Sequence, residues 1–334
     1  MKKSAVRARI RQLCCLGLGG RLLVATLLRA LRELVPSEAA AFYWVDGQGA
    51  VRNLYTERLP SSANALTIKE SALRNCLIAC DEAPDGIATM NVAGAESNHI
   101  LCALVHEGSV RGLLCFYRSS ELWPFGDSER ADLASVLRYV ACGLAVSDSH
   151  SLRGQLAFAF EDSEEEAMLV TDTFGSISFA SDNGLRLLLL ATASEITLSV
   201  LRAARNGGAH RSIEVVRARL KSVEASTTIT LDSGWGRFVL RSCRLSDGHG
   251  QEARIGMRIQ RQVPAILRFV DAMGTRPLSP QQREIALQIA LGRSNQEIST
   301  HLGVSLNTVA YHVKQLFLRL DVHTRTEAIE KIAG

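Results

Sequence analysis

Apolar and polar positions change their periodicity along this chain, and the first pattern combines helical and strand signals. Residues 22–35 carry leucines at helical spacing. Residues 41–55 predict a hairpin that turns at an Asp-Gly pair, and residues 100–118 predict a second one that turns at Glu-Gly. A Pro and an Asp then open a predicted helix, whose apolar positions up to Leu144 share one face. Helices around one antiparallel sheet predict an α+β domain over residues 1–150.

A second α+β pattern follows over residues 151–263. It opens with an acidic run, Glu161 to Glu166, which we interpret as a solvated surface. The predicted strands and apolar run that follow are MLVTD, SISFA, Leu185 to Leu190, STTITLD, GRFVLRSC and ARIGMRIQ. Pro264 then precedes an apolar helical stretch, so residues 264–277 are expected to form a helical linker. The two α+β regions share an architecture but no alignable repeat.

Residues 278–334 predict an all-α domain of four helices that contains a helix-turn-helix. Three helices are predicted to start with capping boxes, Ser279 with Gln282, Ser294 with Glu297, and Thr324 with Glu327. Pro280 suits the first helical position. Gly292 and Gly303 suit helix ends where φ must be positive. The short turn before Ser305 is typical of a helix-turn-helix.

The helix that begins after Ser305 is amphipathic. Its apolar face comprises Val309, Val313, Leu316, Phe317 and Leu320. Its other face comprises Asn307, Thr308, Tyr311, Lys314, Gln315 and Leu318. The helix carries two basic residues and no acid before Asp321. A helix of this kind fits the DNA major groove, where its first half reads base edges.

These motifs resemble the LuxR-type, or GerE-like, DNA-binding domain. The matching pieces are LSPQQRE, the stretch from Gly292 to Ile298, the stretch from Val304 to Val313, and the stretch from Leu320 to Thr326. The resemblance implies that Ala310, Tyr311 and Lys314 read DNA. It also implies that Thr308, His312 and Asn295, at the start of the second helix, approach the DNA backbone. Ala310 departs from the family, which usually has Lys there.

Some of these positions also have a purely structural interpretation. Glu297, Arg325 and Asn295 are residues that tie a small helical bundle together. His312 suits packing, and Arg319 near a helix C-terminus interacts favourably with the helix dipole without touching DNA. Both interpretations stay open at this point.

The upstream regions resemble sensory domains with less specific motifs. Residues 20–147 are similar to a GAF domain, and residues 155–262 are similar to a PAS domain. Chains of GAF, PAS and LuxR-type domains resemble a known kind of bacterial transcription regulator. No cofactor motif is visible, so we expect no bound cofactor and no metal. The ligand-binding residues are unknown from the sequence, and either domain serves as a sensor or as a dimerisation module.

Length and composition bear on the number of domains, the redox compartment and the presence of a membrane span. The length of 334 residues favours two or three domains. Seven of the eight cysteines lie in the first 142 residues among apolar neighbours and match no zinc pattern. They predict buried, reduced thiols in a cytoplasmic protein. Residues 1–35 hold eight Lys or Arg and one Glu, but no apolar run there is long enough for a membrane span.

The last domain carries little net charge. Residues 266–334 hold eight Lys or Arg and six Asp or Glu, which gives +2. Because phosphate neutralisation supplies much of DNA affinity, one copy should bind weakly. We therefore expect a homodimer that binds double-stranded DNA at an inverted-repeat operator.

The sequence thus predicts a transcription regulator rather than an enzyme, and no catalytic residues. The Gly-rich stretch at 16–20 lacks the Lys-Ser or Lys-Thr end of a phosphate loop. A small-molecule signal, a protein partner and RNA polymerase are further candidate partners. Two alternatives stay open, an acyl-homoserine-lactone receptor for quorum sensing and a protein-interaction regulator whose helix-turn-helix no longer binds DNA.

Overall fold

The structure is a computed structural model that describes residues 3–57, 70–92, 98–108, 110–146, 159–172, 174, 176–204, 210–219, 227–246 and 253–334. We refer to residues 3–146 as the N-terminal block, 159–264 as the middle block and 278–334 as the C-terminal block. The expected boundary at 150–151 lies outside the described residues.

The N-terminal block is an antiparallel sheet with helices. Its elements are α1 (Lys3–Cys14), α2 (Gly20–Leu34), β1 (Ala39–Val45), β2 (Val51–Thr56), α3 (Glu70–Glu82), β3 (Ile87–Val92), β4 (Asn98–Glu107), β5 (Val110–Ser119) and α4 (Asp127–Leu144). The strand order is β2-β1-β5-β4-β3. Both predicted hairpins are confirmed, as is the closing helix α4.

The middle block repeats that strand order. Its elements are β6 (Phe160–Thr171), β7 (Ile177–Ala180), α5 (Gly184–Thr192), α6 (Leu198–Ala203), α7 (His210–Arg219), β8 (Thr227–Ser233), β9 (Gly236–Ser246) and β10 (Ala253–Pro264). The order β7-β6-β10-β9-β8 is the order of the first sheet when strands are counted within each block. The shared architecture is therefore present in the topology, and the predicted strands of this region are confirmed.

The interpretation of the acidic run as a solvated surface was wrong in part. The run belongs to β6, which pairs with β10 on both sides of an irregularity at residues 163–165. Glu161, Glu164 and Glu166 are exposed, but Glu165 is half-buried and pairs with two arginines. The acidic run therefore presents most of its side chains to solvent and directs Glu165 toward the protein interior.

The basic N-terminal helix α1 is an internal element of the fold. Lys3 and Arg7 both pair with Asp132 of α4, at 2.5 and 2.6 Å. Arg9 is buried and pairs with Glu33 of α2. Helix α1 also contacts two further helices, α8 (Ala265–Thr275) and α9 (Pro280–Ala290). Much of the positive charge of this segment is thus neutralised within the chain.

The cysteines only partly follow the expectation of burial. Cys14, Cys76, Cys80, Cys102 and Cys115 are buried, and all eight thiols are free. Cys15 and Cys142, which were expected to be buried, are exposed, because they lie at a helix end and on the outer side of α4. Among the described residues, no three His, Cys, Asp or Glu side chains form a group that could hold a metal ion.

The C-terminal block consists of short helices that follow the predicted linker helix. α8 occupies the linker and α9 follows it, and the remaining helices are α10 (Asn295–Leu302), α11 (Leu306–Leu320) and α12 (Arg325–Ala333). Their core includes Ile285, Ile298, Leu316 and Ile332. Across the described part of the chain, no helix has the length and apolar character that a bilayer crossing requires.

Candidate nucleic-acid interface

The turn between α10 and α11 has the geometry that the sequence predicted. The hydroxyl of Ser294 accepts a hydrogen bond from the amide of Glu297, whose carboxylate accepts one from the amide of Ser294. Gly303 ends α10 in the left-handed region at φ +65°, which a Cβ would strain. Ser305 then caps α11 by accepting from the amide of Thr308. Two capped helices are therefore held by a tight turn.

One face of α11 is fixed in the core of this block. Val309, Val313, Leu316 and Leu320 are buried, and Phe317 is half-buried. Helices α9 and α10 both contact α11. The predicted apolar stripe is confirmed, and it orients the opposite face of α11 outward.

The outward face contains the residues expected to read DNA. Ala310 and Lys314 are exposed, and Tyr311 is 59% exposed. Leu318, one turn beyond Lys314, is 66% exposed. The structure thus brings Ala310, Tyr311 and Lys314 together on one accessible surface, with Asn307 exposed at its N-terminal end.

Thr308 and His312 lie at the edge of this surface and are half-buried. The Thr308 hydroxyl lies 2.8 Å from the hydroxyl of Ser305, so it takes part in capping the helix. The His312 ring meets the Tyr311 ring edge-on with centroids 5.4 Å apart. Both side chains are therefore partly committed to contacts within α11.

Asn295 is tied to the helical bundle. Its side-chain oxygen accepts a hydrogen bond from Arg325 of α12, and Arg325 also donates to the carbonyl of Arg293 at 2.6 Å. These contacts support the structural interpretation of Arg325 and Asn295. The start of α10 is consequently held against α12.

The third predicted capping box differs from the prediction. Thr324 accepts from the amide of Glu327 as expected, but the Glu327 carboxylate accepts from the amide of His323 at 2.9 Å rather than from Thr324. That backbone hydrogen bond lowers the pKa of Glu327. The chain turns at Asp321, which has φ +55°. The Glu327 carboxylate then meets the amide of His323, the residue before Thr324.

The C-terminal block contacts the rest of the chain through faces other than the outward face of α11. Helix α12 packs on α8, and α9 contacts α1. Arg11 of α1 lies 4.0 Å from Glu284 of α9, and Arg319 donates to the carbonyl of Pro277. The outward face of α11 is accessible in this arrangement. Arg319 has a structural partner, in line with its alternative interpretation.

A buried ionic cluster joins the two upstream blocks, and no sequence motif predicted it. Arg186 donates to the Tyr55 hydroxyl at 2.9 Å and to Glu165 at 2.6 Å. Arg261 donates to the other oxygen of Glu165 and to the carbonyl of Trp235. Burial alone would raise the pKa of Glu165, but Arg261 and Arg186 outweigh it and lower the pKa to about 2. The charges lie far apart in sequence, so no local motif reveals them.

Comparisons with known proteins place a family match on the C-terminal block. Residues 276–332 match the family model of bacterial regulatory proteins of the luxR family. A putative HTH-type transcriptional regulator of Escherichia coli, YhjB, is 43% identical over 58 residues, which are 17% of this chain and 29% of that protein. The response regulator protein VraR of Staphylococcus aureus is 40% identical over 52 residues, 16% of this chain and 25% of VraR. The chain thus spans less than a third of either relative.

Solved structures show only distant overlap. The VqmA–ligand–DNA complex of Vibrio cholerae is 13% identical, with a TM-score of 0.25 over 51% of this chain and 82% of that one. The DhaR(N)–DhaL complex of Escherichia coli is 14% identical, with a TM-score of 0.22 over 78% of this chain and 89% of that one. Scores this low establish no shared fold. The C-terminal block is a LuxR-type helix-turn-helix domain, and the family assignment is limited to that block.

Proposed function

We propose that this chain is a transcription regulator that binds double-stranded DNA through α11. The observation that carries the proposal is the outward face of α11, where Ala310, Tyr311 and Lys314 are exposed opposite a buried apolar stripe. A helix held in this way enters the major groove with its first half against the base edges. Tyr311 and Lys314 supply hydrogen-bonding groups, and Lys314 adds a positive charge.

We assign contacts with the DNA backbone to three further residues, Thr308, His312 and Asn295. Thr308 and His312 border the outward face, where partly exposed polar groups meet phosphates rather than bases. Asn295 lies at the first position of α10, where free backbone amides favour an anion. Its bond to Arg325 holds the start of α10 in place for such a contact.

We further propose that the regulator acts as a homodimer on an inverted repeat. The C-terminal part carries a net charge of only +2, and Ala310 supplies no charge. A second copy doubles the phosphate contacts and makes the second binding step intramolecular. The GAF-like and PAS-like blocks, which share one strand order, would supply the dimer contacts and the sensory role.

Helices α1 and α8 are the proposed route between the sensory blocks and the DNA-binding domain. α8 continues directly from β10 and contacts α12. α1 contacts α2, α4, α8 and α9, and therefore touches both the N-terminal and the C-terminal blocks. A signal that shifts α1 or α8 changes the spacing of two DNA-binding domains, which is a population shift between two arrangements.

Gel-shift titration of fragmented genomic DNA from the source organism tests the proposed function. The full chain should retard a subset of fragments, and its affinity should fall as salt rises because phosphate contacts release counterions. Absence of any retarded fragment at low salt would instead favour a protein-interaction regulator whose helix-turn-helix does not bind DNA.

A further inference from the structure

A cleft of about 670 Å³ lies where the N-terminal and middle blocks meet. Arg21, Trp44 and Asn53 line it from the N-terminal block, and residues 191–195 and 232–234 line it from the middle block. A volume between roughly 300 and 1,000 Å³ is usual for a small-molecule site. The cleft is formed only when the two blocks are together.

Asn53 presents an oriented hydrogen-bond donor at this cleft. The residue is 9% exposed, and its Oδ1 accepts from the amide of Leu54 at 3.0 Å and from the amide of Ile196 at 2.9 Å. A backbone amide can donate only to the oxygen of an Asn side chain, so these two hydrogen bonds fix the orientation of the Asn53 amide group. The nitrogen Nδ2 is left without a bond to either backbone amide. Among the described residues nothing accepts from Nδ2. Nδ2 is therefore the group of this side chain that is left for an acceptor from outside the chain.

Glu195 supplies an uncompensated negative charge at the same cleft. It lies in the loop after α5, and within the described part of the chain its carboxylate has neither an ion-pair nor a hydrogen-bond partner. The other acid of the lining, Asp232, pairs with Arg237 at 2.9 Å. A ligand cation would therefore be attracted to Glu195 rather than to Asp232.

Aromatic and basic groups complete the lining. Trp44 is half-buried and lies directly opposite Asn53 in the β1–β2 pairing. Its ring meets the ring of Trp235 with centroids 5.8 Å apart, which holds it in place as an apolar wall. Arg21 donates to the carbonyl of Ser194 at 2.8 Å and brings a positive charge beside the cleft.

We propose that this cleft binds a small zwitterion, a free L-amino acid or a molecule with the same pair of charged groups. The carboxylate meets Nδ2 of Asn53 on the side of Arg21, the ammonium meets Glu195, and the ligand side chain lies against Trp44. Because Asn53 also bonds to Ile196 across the two blocks, an occupied cleft fixes their relative position. The proposal concerns ligand binding alone and does not depend on DNA binding.

Tryptophan fluorescence of the full-length Trp123→Phe variant is a direct test. Of the three tryptophans, Trp44 lines the cleft and Trp235 contacts it, whereas Trp123 is 87% exposed elsewhere. Non-aromatic L-amino acids are titrated to about 10 mM, which covers the weak end of specific binding, and calorimetry repeats each titration. At least one should give a saturable change. Its decarboxylated amine and its deaminated acid should each bind about tenfold or more weakly.

Two variants separate the proposed contacts from general effects. Asn53→Asp keeps the oxygen that Ile196 needs but replaces the donor with an acceptor, and Glu195→Gln removes the charge. Each should weaken binding about tenfold or more, whereas Glu121→Gln, an exposed acid outside the lining, should not. If thermal melting shows that Asn53→Asp is unfolded, Glu195→Gln decides alone.

Three results would overturn the proposal. The first is no saturable signal for any L-amino acid by either fluorescence or calorimetry. The second is binding of the amine or the acid as tight as that of the whole amino acid. The third is unchanged affinity in the folded variants. None of these results bears on whether α11 binds DNA, so the proposed function stands or falls separately.

Discussion

At the scale of single residues, the proposed DNA interface on α11 depends on a few exposed side chains with different roles. Lys314 is the one charge at the centre of the outward face, and Tyr311 is its largest exposed group. Ala310 contributes shape and no charge. With few charges available, each phosphate contact matters more for affinity. The effect of Lys314 should therefore be visible in the salt dependence of binding.

Replacing Lys314 with Ala should weaken operator binding and make the negative slope of log affinity against log salt shallower by about one. If Lys314 instead reaches a base, the variant should lose preference for guanine at one position. Titration of one operator at several salt concentrations measures both. Lys331→Ala, which removes an exposed lysine from α12, is the matched control and should leave the slope unchanged. An unaltered slope and sequence preference in Lys314→Ala would remove this residue from the interface.

Glu165→Gln should destabilise the chain by about 3 kcal/mol, because Arg186 and Arg261 would keep their buried charges without a counter-ion. Glu166→Gln, on the same strand as Glu165, removes an exposed ion pair with Arg258 of β10 and should cost about 1 kcal/mol or less. Chemical denaturation of both variants measures the difference. Equal stabilities would show that the cluster does not hold the blocks together.

The same cluster predicts a pH dependence with a definite sign. The pKa of Glu165 is about 2 in the folded chain, below the value of about 4.3 for an unperturbed Glu. Its contribution is therefore complete above about pH 5 and is lost as the pH falls toward 2. The stability gap between wild type and Glu165→Gln should shrink over that range. A gap that stays constant or widens on acidification would contradict the assignment.

Residue roles were predictable from sequence only where the interaction is local. Ser294, Gly303 and Ser305 follow from short-range rules for helix ends, and their geometry agrees with those rules. The cluster around Glu165 combines residues from β2, β6, α5 and β10, which only the fold brings together. Asn53 and Glu195 likewise belong to no sequence motif, so their place in the cleft could not be predicted.

At the scale of elements, amphipathic helices and alternating strands account for most of the fold. The hairpins of both sheets and the helix α11 follow from periodicity. Helix α3 and strand β3 were not predicted, because α3 buries only four residues and mixes polar residues between them. β6 was assigned too late in the chain because its first half is acidic, and pairing with β10 outweighs that composition.

Which face of α11 is buried in the core can be tested with two substitutions of the same type on opposite faces of the helix. Val309→Asp places a carboxylate in the core and should destabilise the C-terminal block by roughly 3 kcal/mol or more, so that it unfolds. Leu318→Asp changes a residue that is 66% exposed and should leave the block folded. Limited proteolysis of the full chains, followed by mapping of cuts after residue 276, compares them. If Val309→Asp resists cleavage as well as wild type does, the assignment of this face of α11 to the core is wrong.

At the scale of the whole molecule, the chain is organised around contacts between its ends. α1 lies against the last part of the chain through α8 and α9, and the ionic cluster joins the two sheets. The outward face of α11 is left accessible, while other faces of the C-terminal block contact the rest of the chain. This arrangement suits regulation through the position of the block rather than through covering of its reading helix.

The isolated C-terminal part, residues 266–334, should bind an operator about 100-fold more weakly than the full chain. A dimer joins two DNA-binding domains, so the second contact becomes intramolecular and raises the apparent affinity without a new DNA contact. Sedimentation of both proteins, together with titration of the same operator, measures this. A monomeric full-length chain that binds no more tightly than the fragment would exclude the dimer.

The central claim, that α11 of this chain reads specific DNA, is tested most directly by sequencing genomic DNA that copurifies with the protein. Wild type and a Tyr311→Ala, Lys314→Ala double variant are compared, since both substitutions lie on the outward face of α11 and leave its buried stripe unchanged. The account predicts enriched fragments that share an inverted repeat in wild type and lose it in the variant. No enrichment over input DNA, or the same enriched motif in both proteins, would contradict it.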